Sequence, residues 1–337
     1  MNKVVVLHIG QSKTGTTAIQ RFFWSHREEL SSNGYHYLTT GVTFGDSPAH
    51  YGLLSDYFHL PFPNPNAFRA NQYHRLDTVW AAAIQEIESA PPGVIVLSCE
   101  VGWQLDAGAR WYLAAMLRSY PVFVVIILRA PKSYMISSYK QALKVGEYLG
   151  TFENFVQARK RLLDYEVLVD RWGDTFGRPC VGVFSYEHLR ATLIERFCSI
   201  IGMEHEVFEP LASKSPQEWN ANVTPPDSRL AVIQILHRIE RGLPGFAARS
   251  VRRVRRHLSG SRSSWLTHLT GRLPLRVISS RDLDALDQLS KETTLCFDTP
   301  PEFASRLNRA LGTQVNRSDE GHQGSLCRRT CLDGENA

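Results

Sequence analysis

Residues 4–17, VVVLHIGQSKTGTT, constrain this chain more tightly than any other stretch. Residues 4–9 form a run without the apolar/polar alternation of a half-exposed strand, the pattern of a strand buried on both faces of a parallel sheet. The run stops at Gly10, and a short polar loop leads through Gly15, Thr16 and Thr17 into AIQRFFWSHREEL, whose apolar residues recur at helical spacing. Strand, glycine-containing loop and helix start together make an anion site, because free backbone N–H groups and the helix dipole both favour negative charge. Lys13 adds a point charge, and the Thr14, Thr16 and Thr17 hydroxyls can donate to phosphate oxygens. The expected occupant is therefore a nucleotide phosphate. The spacing narrows this further. Gly10 and Gly15 match both glycines of G-x-x-x-x-G-K-[ST], but Thr16 stands where that pattern has lysine, and the lysine lies before the second glycine. The dinucleotide pattern G-x-G-x-x-G fails at Ser12.

A second constellation follows a later strand. In PVFVVIILRAPKSYMISSY, Arg129 ends a strongly apolar run and Ser137 comes eight residues later. With this pair in place, Lys13-Thr14-Gly15-Thr16-Thr17 resembles the 5′-phosphosulfate-binding loop of the sulfotransferases that use 3′-phosphoadenosine 5′-phosphosulfate (PAPS). Arg129 and Ser137 are similar to the arginine and serine with which that family holds the 3′-phosphate. Tyr186-Glu187-His188-Leu189 resembles the Tyr-Glu-Asp-Leu segment found after a late core strand. An Arg-Lys-Gly segment that many members use on the 3′-phosphate is missing, so no arginine of the later chain is assigned that role.

The resemblance implies a three-layer α/β/α fold of the P-loop-NTPase-like sulfotransferase type, with a central, mostly parallel sheet and a helical C-terminal half. It points to the bacterial, carbohydrate-type branch. The co-substrate would be PAPS, with no metal. Lys13 would meet charge developing on the bridging oxygen, while Thr14, Gly15, Thr16 and Thr17 would hold the 5′-phosphate. Arg129 and Ser137 would take the 3′-phosphate, and Tyr186 the adenine side. Family members supply a histidine or a glutamate as general base near the end of the strand corresponding to residues 94–97. Here that strand ends at Glu100, the first candidate; His50, in a loop that can fold over the site, is the second.

The rest of the chain fits one domain over residues 1–312 with an expected disordered tail at 313–337. Expected strands are 35–39, 94–97, 122–128 and 180–184. Helices are expected over 71–89, 107–119, 152–159, 161–176 and 189–202, and a mobile loop over 203–227 with its prolines at 210, 216, 225 and 226. Residues 41–70, aromatic and proline-rich, read as a substrate-covering insertion. Aromatic residues there and just beyond, from Phe44 to Tyr73, suit stacking on sugars. The acceptor expected is therefore a hydroxyl of a carbohydrate or glycoconjugate, with a small alcohol second. No stretch approaches about 18 consecutive apolar residues, and the chain passes straight into a strand without a signal-peptide pattern, so a cytoplasmic protein is expected. Six cysteines make no disulfide framework, and Cys327, Cys331 and His322 lack zinc spacing. A net charge of +5 suits anion handling but, without a reader motif, not nucleic acid. Six arginines crowd residues 249–262, as a solvated helix face or as a contact for an anion. Two rival readings remain: a P-loop-like phosphotransferase, which would want a lysine after Gly15, and a non-catalytic relic that binds nucleotide or sulfated polymer.

Overall fold

The computed structural model describes residues 2–44, 48–53, 76–214, 226–259, 277–292, 299–300 and 302–312. Most of the 41–70 insertion, residues 215–225 of the expected loop, Arg262 and the 313–337 tail lie outside the described residues.

Five short strands form one parallel sheet: β1 (Val4–His8), β2 (Tyr35–Tyr37), β5 (Val94–Ser98), β6 (Val122–Leu128) and β7 (Val181–Ser185), in the order β2-β5-β1-β6-β7. A two-stranded hairpin, β3 (Thr43–Phe44) with β4 (Pro48–Ala49), stands apart from it. β1 is central, with Val5 opposite Ile95 on one side and Val122 on the other. Both sheet faces are covered, which is why the strands are apolar without alternation. Val5, Leu7, Ile9, Ile95, Leu97, Val124 and Ile126 pack with the helices Leu76–Ser89, Ala107–Met116, Pro131–Val145 and Tyr165–Phe176. Val4, Val6, Val94, Val96, Phe123, Val125 and Ile127 pack on the other face, against α1 (Thr16–Ser25) and the helices Leu193–Ile200, His205–Lys214 and Glu302–Leu311. The result is the expected α/β architecture of helix, parallel sheet and helix, with a helical C-terminal half.

The chain leaves β1 toward β2 and leaves β6 toward β7, so the strand order reverses between two neighbours. Ligands of open α/β sheets bind at the carboxyl ends beside such a reversal. The loop after β1 carries Lys13, and Arg129 follows β6 directly.

Two local expectations fail. Residues 203–227 were expected as loop, yet His205–Lys214 is a helix with Pro210 inside it. Phe208 and Leu211, one turn apart, are buried against the α1 face, and that burial outweighs one missing backbone hydrogen bond. The 189–202 helix begins later: Arg190–Thr192 is a 3-10 turn, and the α-helix is Leu193–Ile200. The arginine-rich segment forms the helix Gly245–Ser259, packed against Asp227–Gly242; Arg252 and Arg255 both bond Glu240, at 2.6 and 2.9 Å. Among the described residues, no helix is long and apolar enough to cross a membrane, and Cys99, Cys180 and Cys198 are free.

Gly10 turns the chain out of β1 at φ +92°, and a Cβ there would lie 2.7 Å from the carbonyl oxygen of Glu100. Gly312, also at positive φ, has open space around it. Gly10→Ala is therefore expected to destabilise the protein by at least about 2 kcal/mol, and Gly312→Ala by about 1 kcal/mol. Urea unfolding of both variants checks this; equal costs would show that the contact with Glu100 is not tight.

Candidate active site

The loop between Gly10 and α1 is shaped by its backbone. Lys13 is the one non-glycine residue at positive φ (+70°) among the described residues, and Gly15, at φ +74°, precedes the helix. Left-handed residues at these two positions curl the main chain, and the first turn of α1 has N–H groups with no acceptor inside the helix. A strained non-glycine residue persists only where its surroundings hold it. Here the holding is explicit. Gln11 N–H donates to Ile127 C=O at 2.8 Å, Ile127 N–H to Gly10 C=O at 2.8 Å, and Arg129 Nη1 to Lys13 C=O at 3.0 Å. Gly15 also allows a close approach, since a Cβ there would collide with the Leu193 side chain and lie 3.7 Å from Tyr186.

The structure brings most of the expected residues to this corner. Lys13 and Thr17 are half-buried on the loop and the start of α1. Thr14 is buried and its hydroxyl donates to Gln11 C=O at 2.5 Å, which leaves its proton unavailable to a ligand. Thr16 likewise donates to Glu100 Oε2 at 3.0 Å. Arg129 stands with its guanidinium carbon 5.2 Å from the Tyr186 ring centre, a cation–π contact. Its Nε is buried and has no acceptor among the described residues, which suits an anion arriving beside it. Ser137 is half-buried on the second turn of the Pro131–Val145 helix.

Glu100 sits just past β5, half-buried, in a polar chain that the sequence did not reveal. Gln20, fully buried on α1, donates from Nε2 to Glu100 Oε2 at 3.3 Å and to Ser98 Oγ at 3.1 Å. Ser98 Oγ is also 2.9 Å from His8 Nδ1. A proton on Nδ1 makes His8 a donor to the serine and leaves a lone pair, not an N–H, without a partner at the buried Nε2.

His50 is placed differently. Its ring is 1% exposed, Nδ1 accepts from the Ser98 N–H at 3.0 Å, and Nε2 lies 2.9 Å from Leu38 C=O. Both nitrogens are engaged with main chain, which fixes a neutral tautomer, and burial pulls the pKa down to about 4. Sequence reasoning also missed Gln11, Tyr165 and Glu187, which surround Arg129. The Glu187 carboxylate accepts the Ala130 N–H at 3.1 Å and so caps a helix whose own N-cap residue has no side chain to do it. No motif singles out Gln20 or Tyr165; their roles follow from long-range packing.

Among the described residues, no three His, Cys, Asp or Glu side chains are grouped to hold a metal ion. No family model matches the chain, and no curated protein matches it in sequence. Solved structures do. A sulfotransferase from Alicyclobacillus acidocaldarius aligns over 63% of this chain and 91% of its own, at 16% identity and a TM-score of 0.41. The sulfotransferase domain of the Synechococcus PCC 7002 olefin synthase aligns over 72% and 95%, at 12% identity and 0.38. A sulfotransferase domain from the curacin biosynthetic pathway aligns over 93% and 99%, at 11% identity and 0.37.

Burial lowers the pKa of His8 to about 3 and of His50 to about 4, from 6.5. Between those values and 6.5 the unfolded chain binds protons that the folded chain refuses, so stability is complete above pH 6.5 and falls as the pH drops. Each histidine is expected to contribute up to about 1.4 kcal/mol of loss per pH unit in that window. Unfolding free energies at pH 7, 6 and 5 test this, and His50→Gln should flatten the slope. An unchanged slope would mean that His50 titrates normally in the fold.

Proposed function

We propose that this protein is a PAPS-dependent sulfotransferase that transfers the sulfuryl group to a hydroxyl. The observation that carries the reading is a bond between the two expected anion-binding elements at the carboxyl ends of the neighbouring strands β1 and β6: the strained Lys13 loop is bonded through its own carbonyl to Arg129. One site suits a 5′-phosphosulfate and the other a 3′-phosphate. The likeness of residues 13–17, and of Arg129 with Ser137, to the family's two phosphate sites supports the same assignment.

In this reading, the acceptor oxygen attacks sulfur while the bond between sulfur and the bridging phosphate oxygen breaks. The acceptor's proton passes to a base, and the products are a sulfate ester and 3′-phosphoadenosine 5′-phosphate. Positioning and charge stabilisation carry most of such a transfer, as in phosphoryl transfer. Lys13 neutralises charge on the leaving phosphate, helped by the N–H groups of Gly15, Thr16 and Thr17. Arg129, with Ser137, binds the 3′-phosphate, and Tyr186 backs the guanidinium on the adenine side. Glu100 serves as the base, because its carboxylate adjoins the loop through Thr16. His50, spent on two main-chain bonds, serves the fold around it. For the acceptor we favour a carbohydrate or glycoconjugate, on the sequence of the aromatic 44–73 segment alone. A site in the cytoplasm remains part of this proposal.

Calorimetric titration with 3′-phosphoadenosine 5′-phosphate, with ADP and ATP–Mg as controls, tests the reading. Binding that requires the 3′-phosphate is expected; preference for ATP–Mg would move the protein to the phosphotransferases. Lys13→Ala should cut kcat by about 100-fold or more while changing affinity for the desulfonated product by less than about tenfold. Full turnover in that variant would remove Lys13 from the leaving-group role.

A further inference from the structure

Arg129 is the first residue beyond the β6–β7 ladder, which ends where Leu128 faces Ser185. It is followed by Ala130 and then by Pro131, which lacks an N–H, so regular secondary structure holds little of its backbone. A closed ring of hydrogen bonds holds it instead. Arg129 N–H donates to Gln11 Oε1 at 3.3 Å, Gln11 Nε2 donates to Tyr165 Oη at 3.2 Å, and Tyr165 Oη donates to Arg129 C=O at 2.9 Å. Tyr165 Oη also lies 3.3 Å from Gln11 Oε1, so the phenol faces both polar atoms of the amide. Gln11 is fully buried and Tyr165 is 4% exposed. Three parts of the chain meet here: the loop after β1, the end of β6, and the first residue of the Tyr165–Phe176 helix.

We propose that Gln11 and Tyr165 are positioning residues that make the nucleotide site selective for a 3′-phosphate, by fixing both peptide groups of Arg129. The inference rests on the sulfotransferase reading and deepens it. An arginine discriminates by placing a planar fork of donors, so its use depends on where its main chain is anchored. The Arg129 guanidinium is bonded to Lys13 C=O, and Nε is buried without an acceptor among the described residues. A small shift of the backbone would take that fork away from the ligand. Burial pushes the Tyr165 phenol well above its ordinary pKa, so it stays protonated as a donor to Arg129. Tyr165→Phe removes the hydroxyl alone. It takes the phenol partner from the buried Arg129 carbonyl and from Gln11 Nε2, while the bond from Gln11 N–H to Ile127 C=O still supports the 5′-phosphate loop.

The test titrates the full-length protein, Tyr165→Phe and Gln11→Leu with 3′-phosphoadenosine 5′-phosphate and with 5′-AMP, which lacks the 3′-phosphate. Tyr165→Phe is expected to weaken the first ligand roughly tenfold and to leave 5′-AMP within about twofold. Gln11→Leu, which breaks the ring from its other side, should narrow the selectivity in the same direction. Added to Arg129→Ala, Tyr165→Phe should cost nothing further. Equal loss of both ligands would mean general support of the fold and overturn the proposal, as would no loss of either. A wild-type protein that binds the two ligands alike would instead defeat the sulfotransferase reading, and the selectivity role with it.

Discussion

The close approach of Gly10 to the main chain of Glu100 is the constraint on which the site depends. At φ +92° the chain turns out of β1 so tightly that no side chain fits between them. That turn lets Gly10 C=O accept from Ile127 and Gln11 N–H donate to Ile127, which zips the start of the loop to β6 beyond the end of β1. The loop thereby lies against the ends of β5 and β6, the strands on either side of β1. Glu100 and Arg129, the charged residues that follow those strands, come to flank it.

The two flanks are built in unlike ways. On the β5 side, the buried polar groups of His8, Ser98 and Gln20 form a chain that reaches the half-buried Glu100, which Thr16 also bonds. Each member spends hydrogen-bonding capacity on the next, and the carboxylate accepts from both Gln20 and Thr16. On the β6 side an arginine is held through its backbone, by a glutamine and a tyrosine, with its guanidinium over an aromatic ring. In both cases a buried amide, Gln20 or Gln11, makes the connection. An amide donates and accepts at once, and its neutrality costs less to bury than a charge. The same economy applies to His50, which substitutes for a missing ladder partner by bonding main chain on both sides.

The fold was legible wherever the physics is local. Continuous apolar runs at 94–97 and 122–128 read correctly as strands covered on both faces, and Tyr35–Tyr37 appeared where a short strand was expected. Helix His205–Lys214 was not legible, because Pro210 speaks against a helix locally while Phe208 and Leu211 find their burial only against a distant face. The roles of Gln11, Gln20 and Tyr165 were invisible for a related reason. Tyr165 is 154 residues from its Gln11 partner, and no spacing within the chain announces the contact.

By itself, the sequence determined the parallel α/β class, the strand–loop–helix unit that carries Lys13 between Gly10 and Thr17, and the eight-residue interval from Arg129 to Ser137. These are patterns of period and composition, and they act within a few residues of one another. Tertiary structure alone decided which groups are free to act. It turned the Thr14 hydroxyl inward, engaged the Thr16 hydroxyl as a hydrogen-bond donor to Glu100, and bound both nitrogens of His50 to main chain. It also bent the backbone of Lys13 into the left-handed region, against that residue's own preference. The reason is that a polar atom's availability depends on what packs beside it. In this protein those neighbours come from strands and helices far apart in the chain.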